Sequence, residues 1–474
     1  MSVHGFVGRD RELAALERML ARVRAGGRPG RAVLMRGRRR VGKSRLVEEF
    51  VARAGVPYLF FTASAQPAPA AELRLFVQAG TESTLPDATG FTGQAPQTWD
   101  AALRLLAGAL PVDTPSVVVL DEMPYLIGSD PGFEGTLQKV FDRKLSRRPV
   151  LLICVGSDLA MMEALGGYGR PFHQRATEMV VPPLNPAGVA RMLGLPAPAA
   201  FDAYLVCGGL PLVLAEWPHG TPVLDHLAQV LSDPTSALLV SGERALAAEL
   251  PADSQARLVL GAIGSGERTF ASITRAIGGI PQGSLTRALS LLTSKRIVEL
   301  STPLSTKPSR DTRYAVADPY LRFWLALLGP YLPEIERGRG DLTVARIRTA
   351  WPSWRRRAIE PVLREALRRA PDGLLPAGTA VIGGYWTRTN DVEVDLVGAD
   401  RGPVAGRVTL VGSVKWQERR PFDRHDLAAL AAHRTRVPGA DAGTAMIAVS
   451  RAGARVTDIP VLGPADLLAG HQAR

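Results

Sequence analysis

Gly37, four intervening residues, then Gly42-Lys43-Ser44: the stretch "MRGRRRVGKSRL" has the spacing of a loop that wraps phosphate. Glycines let the backbone approach an anion closely. Backbone N–H groups from Gly37 through Arg38, Arg39, Arg40, Val41 and Gly42 to Arg45 are expected to point at phosphate oxygens. Lys43 is the residue whose side chain reaches the β- and γ-phosphates, and Ser44 the ligand for Mg²⁺. The side chains of Arg38, Arg39 and Arg40 occupy positions the pattern leaves free and are expected to project outward. A second acidic element supports this reading. "VVVLDE" closes an apolar run on Asp121-Glu122, so Asp121 can hold Mg²⁺ through water and Glu122 can polarise an attacking water. Only six of the 57 basic residues are lysine, and Lys43 and Lys415 fall in the two stretches that look chemical.

The elements that must position these residues alternate. Residues 10–24 repeat apolar positions at helical spacing. "RAVLM" (31–35) is a short strand ahead of the loop, and 44–54 continues as a helix. Strands are expected at 56–63, 116–122 and 149–157, with a helix at 99–110. Residues 64–98 read as a surface insertion holding one helix. Strands alternating with helices predict a parallel sheet covered on both faces. A glutamate beside the strand-end aspartate favours ATP hydrolysis by the additional-strand class over GTPase-type chemistry. Ser157, ending the next strand, stands where that class places a γ-phosphate sensor. A helix N-cap is an equally compatible role for it. Arg175 in "RPFHQRATE" is a candidate γ-phosphate contact, with a plain surface arginine as the alternative.

Composition narrows the function classes. The chain has 474 residues and a net charge of +12. No run approaches 18 apolar residues, so no membrane span is expected, and the first residues lack an apolar signal core. Cys154 and Cys207 lie in apolar segments, which suits a cytoplasmic setting without disulfides. Seven scattered histidines give no zinc spacing. Basic residues concentrate in 1–53, 255–316 and 337–369, with 14, 9 and 10 Lys/Arg against 5, 3 and 3 Asp/Glu. Such patches attract phosphate backbones, or simply make a basic surface.

"FVGRDREL", the phosphate loop, "VVVLDEMPYL", "VGSDLAMM", "PFHQRA" and "GGLP" come in an order that resembles the archaeal-type P-loop ATPases, related to AAA+ and STAND switch proteins. The resemblance implies an α/β, additional-strand AAA+-like core, then a helical lid and a winged helix. It implies that Val7, Gly8 and Arg9 border an adenine pocket and that Pro211 lies in the lid near the nucleotide. Gln174 stands where a glycine is usual. ATP and Mg²⁺ are the implied cofactors. The corresponding domain plan is 1–183 for the core, 184–250 for the lid, 251–318 for the winged helix-turn-helix, 319–350 for a helical connector and 351–474 for a C-terminal α/β domain.

That last domain resembles the PD-(D/E)XK nuclease fold in its domain of unknown function 234 form, on "GGYWTRTNDVEVDLVG" and "LVGSVKWQ". The resemblance places Glu360, Asp395 and Lys415 at its site positions. Ser413 replaces an expected acid, and Glu393 could stand in. A degenerate binding or assembly module is the favoured reading. Three functions stay open: an ATP-driven conformational switch answering a protein effector, a DNA-processing ATPase with a C-terminal nuclease site, and a DNA-binding regulator. In the last, Ser284, Thr286, Arg287 and Lys295 would face the major groove. An oligomer is compatible with each.

Overall fold

The computed structural model describes residues 6–24, 30–65, 68–371 and 373–472. The chain divides into two compact units, Gly8–Pro183 and Leu184–Arg474 with the first seven residues.

The first unit is built on a five-stranded sheet: β1 (Arg31–Arg36), β2 (Tyr58–Thr62), β3 (Ser116–Asp121), β4 (Val150–Gly156) and β5 (Ala176–Val180). Its order is β2-β3-β4-β1-β5, all parallel. Strands β3 and β4 are buried along their whole length, as expected of central strands covered by helices on both faces. The additional strand is visible: β4 lies between the phosphate-loop strand β1 and the acid-bearing strand β3. Register puts Leu34 and Leu120 both opposite Cys154, so the C-terminal ends of the three strands share one edge.

Two expectations for this unit need correction. Residues 64–98 are not a surface insertion. Helix Pro69–Thr81, the short turn at Ala88–Phe91 and the segment between them deliver Leu73, Phe76, Leu85 and Phe91 into the core. Phe76 packs edge-on against Phe61 at 5.2 Å and Trp99 at 5.5 Å. The Pro/Ala/Gly/Thr-rich composition hid four core residues spaced too irregularly to show a period. Strand β5 was not foreseen. It is an edge strand in which only Met179 is buried, so no apolar run marks it.

In the second unit, helices Gln255–Gly264, Phe270–Ala276 and Gln282–Ser294 precede an antiparallel wing, β6 (Val298–Ser301) and β7 (Arg313–Val316). The wing loop is not free. Leu304 is 5% exposed inside a core formed by Val394, Val397, Val408 and Val411. Its amide donates to Gly384 O at 2.9 Å, and Thr306 N donates to Pro438 O at 3.1 Å. A second sheet has the order β12-β11-β10-β9-β8, comprising β8 (Val381–Trp386), β9 (Glu393–Ala399), β10 (Val408–Lys415), β11 (Ala445–Ser450) and β12 (Val461–Leu462).

The expected boundary at 350/351 falls inside one helix, Gly340–Arg368, which continues through Pro352 and Pro361. Each interior proline removes one backbone hydrogen bond and disfavours a helix. Burial of Ile347, Trp351, Ile359 and Leu363 along the same helix opposes that cost. Residues from the expected lid share a core with this helix and sheet: Phe201 and Leu205 pack with Leu363, Leu410 and Trp416. Asp202 sits among them, accepting from Arg355 and Arg451 at 2.9 Å each.

Leu304→Ala should therefore destabilise the protein by about 2–5 kcal/mol, the usual cost of a cavity in a core. Leu300→Ala, on the wing but 49% exposed, should cost at most roughly 0.5 kcal/mol. Denaturant unfolding of both variants checks the contrast. Equal effects would mean that the wing loop is not docked.

Candidate functional site: the phosphate loop and its carboxylates

The loop is shaped by two glycines with different tasks. A Cβ on Gly37 would lie 2.4 Å from Val181 O, so no side chain fits. Gly42 has φ 85° and turns the chain into helix Lys43–Ala54. Arg40 also takes a left-handed conformation, at φ 67°. The loop's side chains diverge. Arg39 donates to the Tyr125 hydroxyl at 3.2 Å, a partner the sequence did not suggest. Lys43 turns inward and is 6% exposed. Its Nζ donates to Gly37 O at 2.8 Å and Arg38 O at 3.0 Å. Burial pushes the Lys43 pKa down, the nearby Glu122 and Asp121 charges oppose that shift, and Arg39 adds to it. A phosphate oxygen would give this desolvated ammonium a far stronger acceptor than a carbonyl.

Across the sheet edge, the Ser44 hydroxyl donates to Asp121 Oδ2 at 2.7 Å, and the Glu122 amide donates to Asp121 Oδ1 at 2.9 Å. Asp121 is 3% exposed, and burial pushes its carboxyl above the ordinary range while both hydrogen bonds pull it back. Ser44 Oγ and Asp121 thus offer two adjacent hard oxygens, a fit for a divalent cation completed by phosphate and water. Glu122 adopts φ 54°, a left-handed backbone uncommon outside glycine and asparagine. Ser157 Oγ donates to Glu122 Oε2 at 2.9 Å. The alternative role for Ser157 goes to its neighbour: Asp158 caps helix Leu159–Gly166, accepting from Met161 N.

The N-terminal segment reaches this loop through Arg9. Gly8 and Arg9 both have positive φ, and Arg9 donates to Val41 O at 2.7 Å and to Glu12 at 3.2 Å. Val7 precedes them and is half-buried. Arg45 is exposed and pairs with Glu48 and Glu49. Arg175 does not join the cluster. Its Nε donates to Asp142 at 3.1 Å and its NH1 to Pro171 O at 3.0 Å. The preceding Gln174 has φ 59°, the backbone a glycine favours, so the replacement keeps the turn at some strain. Pro211 belongs to the second unit, at the first turn of helix Pro211–Ala215. The "GGLP" glycines there are structural: a Cβ on Gly209 would meet Leu184 O at 1.9 Å.

The C-terminal residues are brought near one another but are differently engaged. Asp395 accepts from Val414 N at 2.7 Å and Ser413 Oγ at 3.3 Å. Lys415 pairs with Asp426 at 3.0 Å, Glu393 with Arg313, and Glu360 with Arg364 at 3.2 Å. Among the described residues, no group of three or more His, Cys, Asp or Glu is disposed to hold a metal. On helix Gln282–Ser294, Arg287 donates to Ser284 and Thr286 to Gln282 O, and Lys295, just past the helix end, pairs with Glu249. No described helix is long and apolar enough to cross a membrane.

A parallel sheet with an inserted strand, a glycine-shaped loop over a buried lysine, and a carboxylate pair at the same edge define a P-loop ATPase. The comparisons agree: residues 5–153 match the AAA ATPase domain, and residues 324–427 match a family described as archaeal and bacterial proteins of unknown function. The chain carries an ATP-binding AAA ATPase domain followed by that second domain. An uncharacterised protein of Methanocaldococcus jannaschii, MJECL04, is 24% identical over 430 residues, covering 88% of this chain and 89% of its own. Among solved structures, the Aeropyrum pernix ORC2 protein in ADPNP–ADP complexes is 16% identical, with a TM-score of 0.46, over 69% of this chain and 94% of its own. The Aeropyrum pernix ORC1 protein in complex with DNA is 18% identical, with a TM-score of 0.36, over 73% and 95%. Scores this low support no residue-by-residue correspondence.

Glu360 gives a pH test of the second unit. Burial pushes its carboxyl up from 4.5 to about 7, Asp395 and Glu393 add to the rise, and Arg364 and Arg268 oppose it. The folded state therefore holds this proton more tightly than the unfolded chain. The stability it brings is complete below about pH 4.5 and is lost as pH rises through about 7. Glu360→Gln should flatten the fall in melting temperature between pH about 4.5 and about 7. An unchanged slope would mean that Glu360 is ionised throughout.

Proposed function

We propose that the chain is a Mg²⁺-dependent ATPase that works as a nucleotide-driven conformational switch, in the manner of STAND-type proteins. The observation that carries the chemistry is the chain of contacts Ser44–Asp121–Glu122–Ser157 beside the buried Lys43. In this reading Lys43 holds the β- and γ-phosphates, and Ser44 with Asp121 holds Mg²⁺, which neutralises phosphate charge. Glu122 accepts the proton of the attacking water, and Ser157 fixes the Glu122 carboxylate and reports on the γ-phosphate. Val7, Gly8 and Arg9 flank the base, because Arg9 is tied to the loop at Val41. The role for Arg175 as a contact within its own site is not kept, given its pairing with Asp142.

The division at residue 184 supports the switch. In this proposal, the expected lid, winged helix, connector and C-terminal domain act as one effector body, since lid and C-terminal residues share a core. The C-terminal domain is a degenerate PD-(D/E)XK-like module, used for binding or assembly in the cytoplasm and answering a protein effector. Ser413 in place of an acid, with Glu393 and Lys415 turned to Arg313 and Asp426, favours this over a nuclease. DNA remains a candidate partner through the exposed face of helix Gln282–Ser294, while the wing loop is anchored at Leu304 in the core of the second sheet.

Lys43→Ala should abolish ATP binding in a titration, and Glu122→Gln should keep binding while lowering turnover by about 100-fold or more. Parent-like turnover in Glu122→Gln would remove it as the base. Small-angle scattering with ADP and with a non-hydrolysable ATP analogue should give distinct profiles for the parent and coincident ones for Lys43→Ala. Coincident profiles in the parent would refute the switch.

A further inference from the structure

The second unit contains a cavity of about 630 Å³, lined by the wing, by the long helix from Ala350 to Arg368 and by strands β8 and β9. That volume is in the usual range for small-molecule sites, roughly 300–1,000 Å³. Two of the basic patches seen in the sequence, 255–316 and 337–369, converge on it. Its lining includes six arginines, Arg268, Arg313, Arg322, Arg357, Arg364 and Arg368, and four glutamates, Glu299, Glu360, Glu365 and Glu393.

Each glutamate already has an arginine. Glu393 pairs with Arg313, Glu360 with Arg364 at 3.2 Å, Glu365 with Arg368 at 3.0 Å, and Glu299 with Arg322 at 3.8 Å. Arg268 and Arg357 are left over. Among the described residues, neither guanidinium makes a hydrogen bond or an ion pair. Arg357 is exposed, while Arg268 is half-buried at the cavity wall. Burial pushes the Arg268 pKa down, and the charges of Arg313 and Arg357 push the same way against Glu360 and Glu393. Glu360 and Glu393 offset part of this repulsion but are already paired with Arg364 and Arg313, so an anion between Arg268 and Arg357 would relieve the rest.

We propose that this cavity binds a small phosphomonoester, with the forks of Arg268 and Arg357 gripping the phosphoryl oxygens. Even with all four glutamates ionised, two guanidinium charges are left over, enough for a phosphoryl dianion. Guanidinium forks bind phosphate bidentately. The volume exceeds what a bare phosphate needs, so an organic body is expected beside it. The half-buried ring of Tyr314 offers that body an aromatic surface, while Trp386 is buried beneath Arg313, which lies 4.3 Å from its ring centre. The site is independent of the ATPase reading, since all its residues lie in the second unit.

The test is calorimetric titration of the full-length Lys43→Ala chain with inorganic phosphate, AMP, adenosine and a short 5′-phosphorylated single-stranded DNA. Titrating the parent chain with its loop saturated by a non-hydrolysable ATP analogue provides a check should Lys43→Ala misfold. Phosphate and AMP are expected to bind, adenosine is not, and Arg268→Gln or Arg357→Gln should weaken AMP by about tenfold or more. Arg357 is exposed, so its variant carries little folding risk. Absence of binding by both phosphate and AMP would overturn the proposal, as would binding that neither substitution weakens. Binding of the DNA strand without AMP would also overturn it, in favour of a nucleic-acid end.

Discussion

The hydrogen bond from Ser44 to the buried Asp121, 2.7 Å long, is the contact on which the ATPase unit depends. A buried carboxylate costs several kcal/mol unless hydrogen bonds offset its desolvation. Here they come from the hydroxyl that opens the loop helix and from the amide of Glu122. This arrangement needs β1 and β3 to end at the same level with one strand between them, which the parallel register through Cys154 supplies. Fixing Asp121 in turn fixes Glu122, whose left-handed backbone aims its carboxylate at Ser157.

The second unit depends on a different buried charge. Asp202, from a helix the sequence assigned to a lid, is clamped by Arg355 and Arg451. One arginine belongs to the long helix and the other follows β11. Removing one partner of such a group leaves an uncompensated charge, so the clamp specifies a single arrangement of lid, helix and sheet. The wing loop adds a second weld through Leu304. The unit is thus one body, and its surplus arginines face its own cavity.

What could be read in advance was local. The phosphate loop, the Asp121-Glu122 pair and the buried strands are written in consecutive residues, and so were legible. Helix Gly340–Arg368 was not, because Pro352 reads as a helix start while distant packing keeps the helix running through it. Strand β5 carries one buried residue and no pattern. Ser157 could be a sensor or a cap until Asp158 was seen to take the cap. Arg175 looked free until Asp142, 33 positions earlier, proved to hold it. The docking of the wing and the pairing of cavity charges depend on contacts far apart in sequence, and spacing cannot report them.

The central claim is that Asp121 couples the loop hydroxyl to a divalent cation on ATP. The most direct measurement is ATP affinity with and without Mg²⁺ in the parent and in Asp121→Asn. The parent should bind ATP at least about tenfold more tightly with Mg²⁺, and the variant should lose that gain while keeping its Mg²⁺-free affinity. A variant that retains the full Mg²⁺ gain would contradict the account.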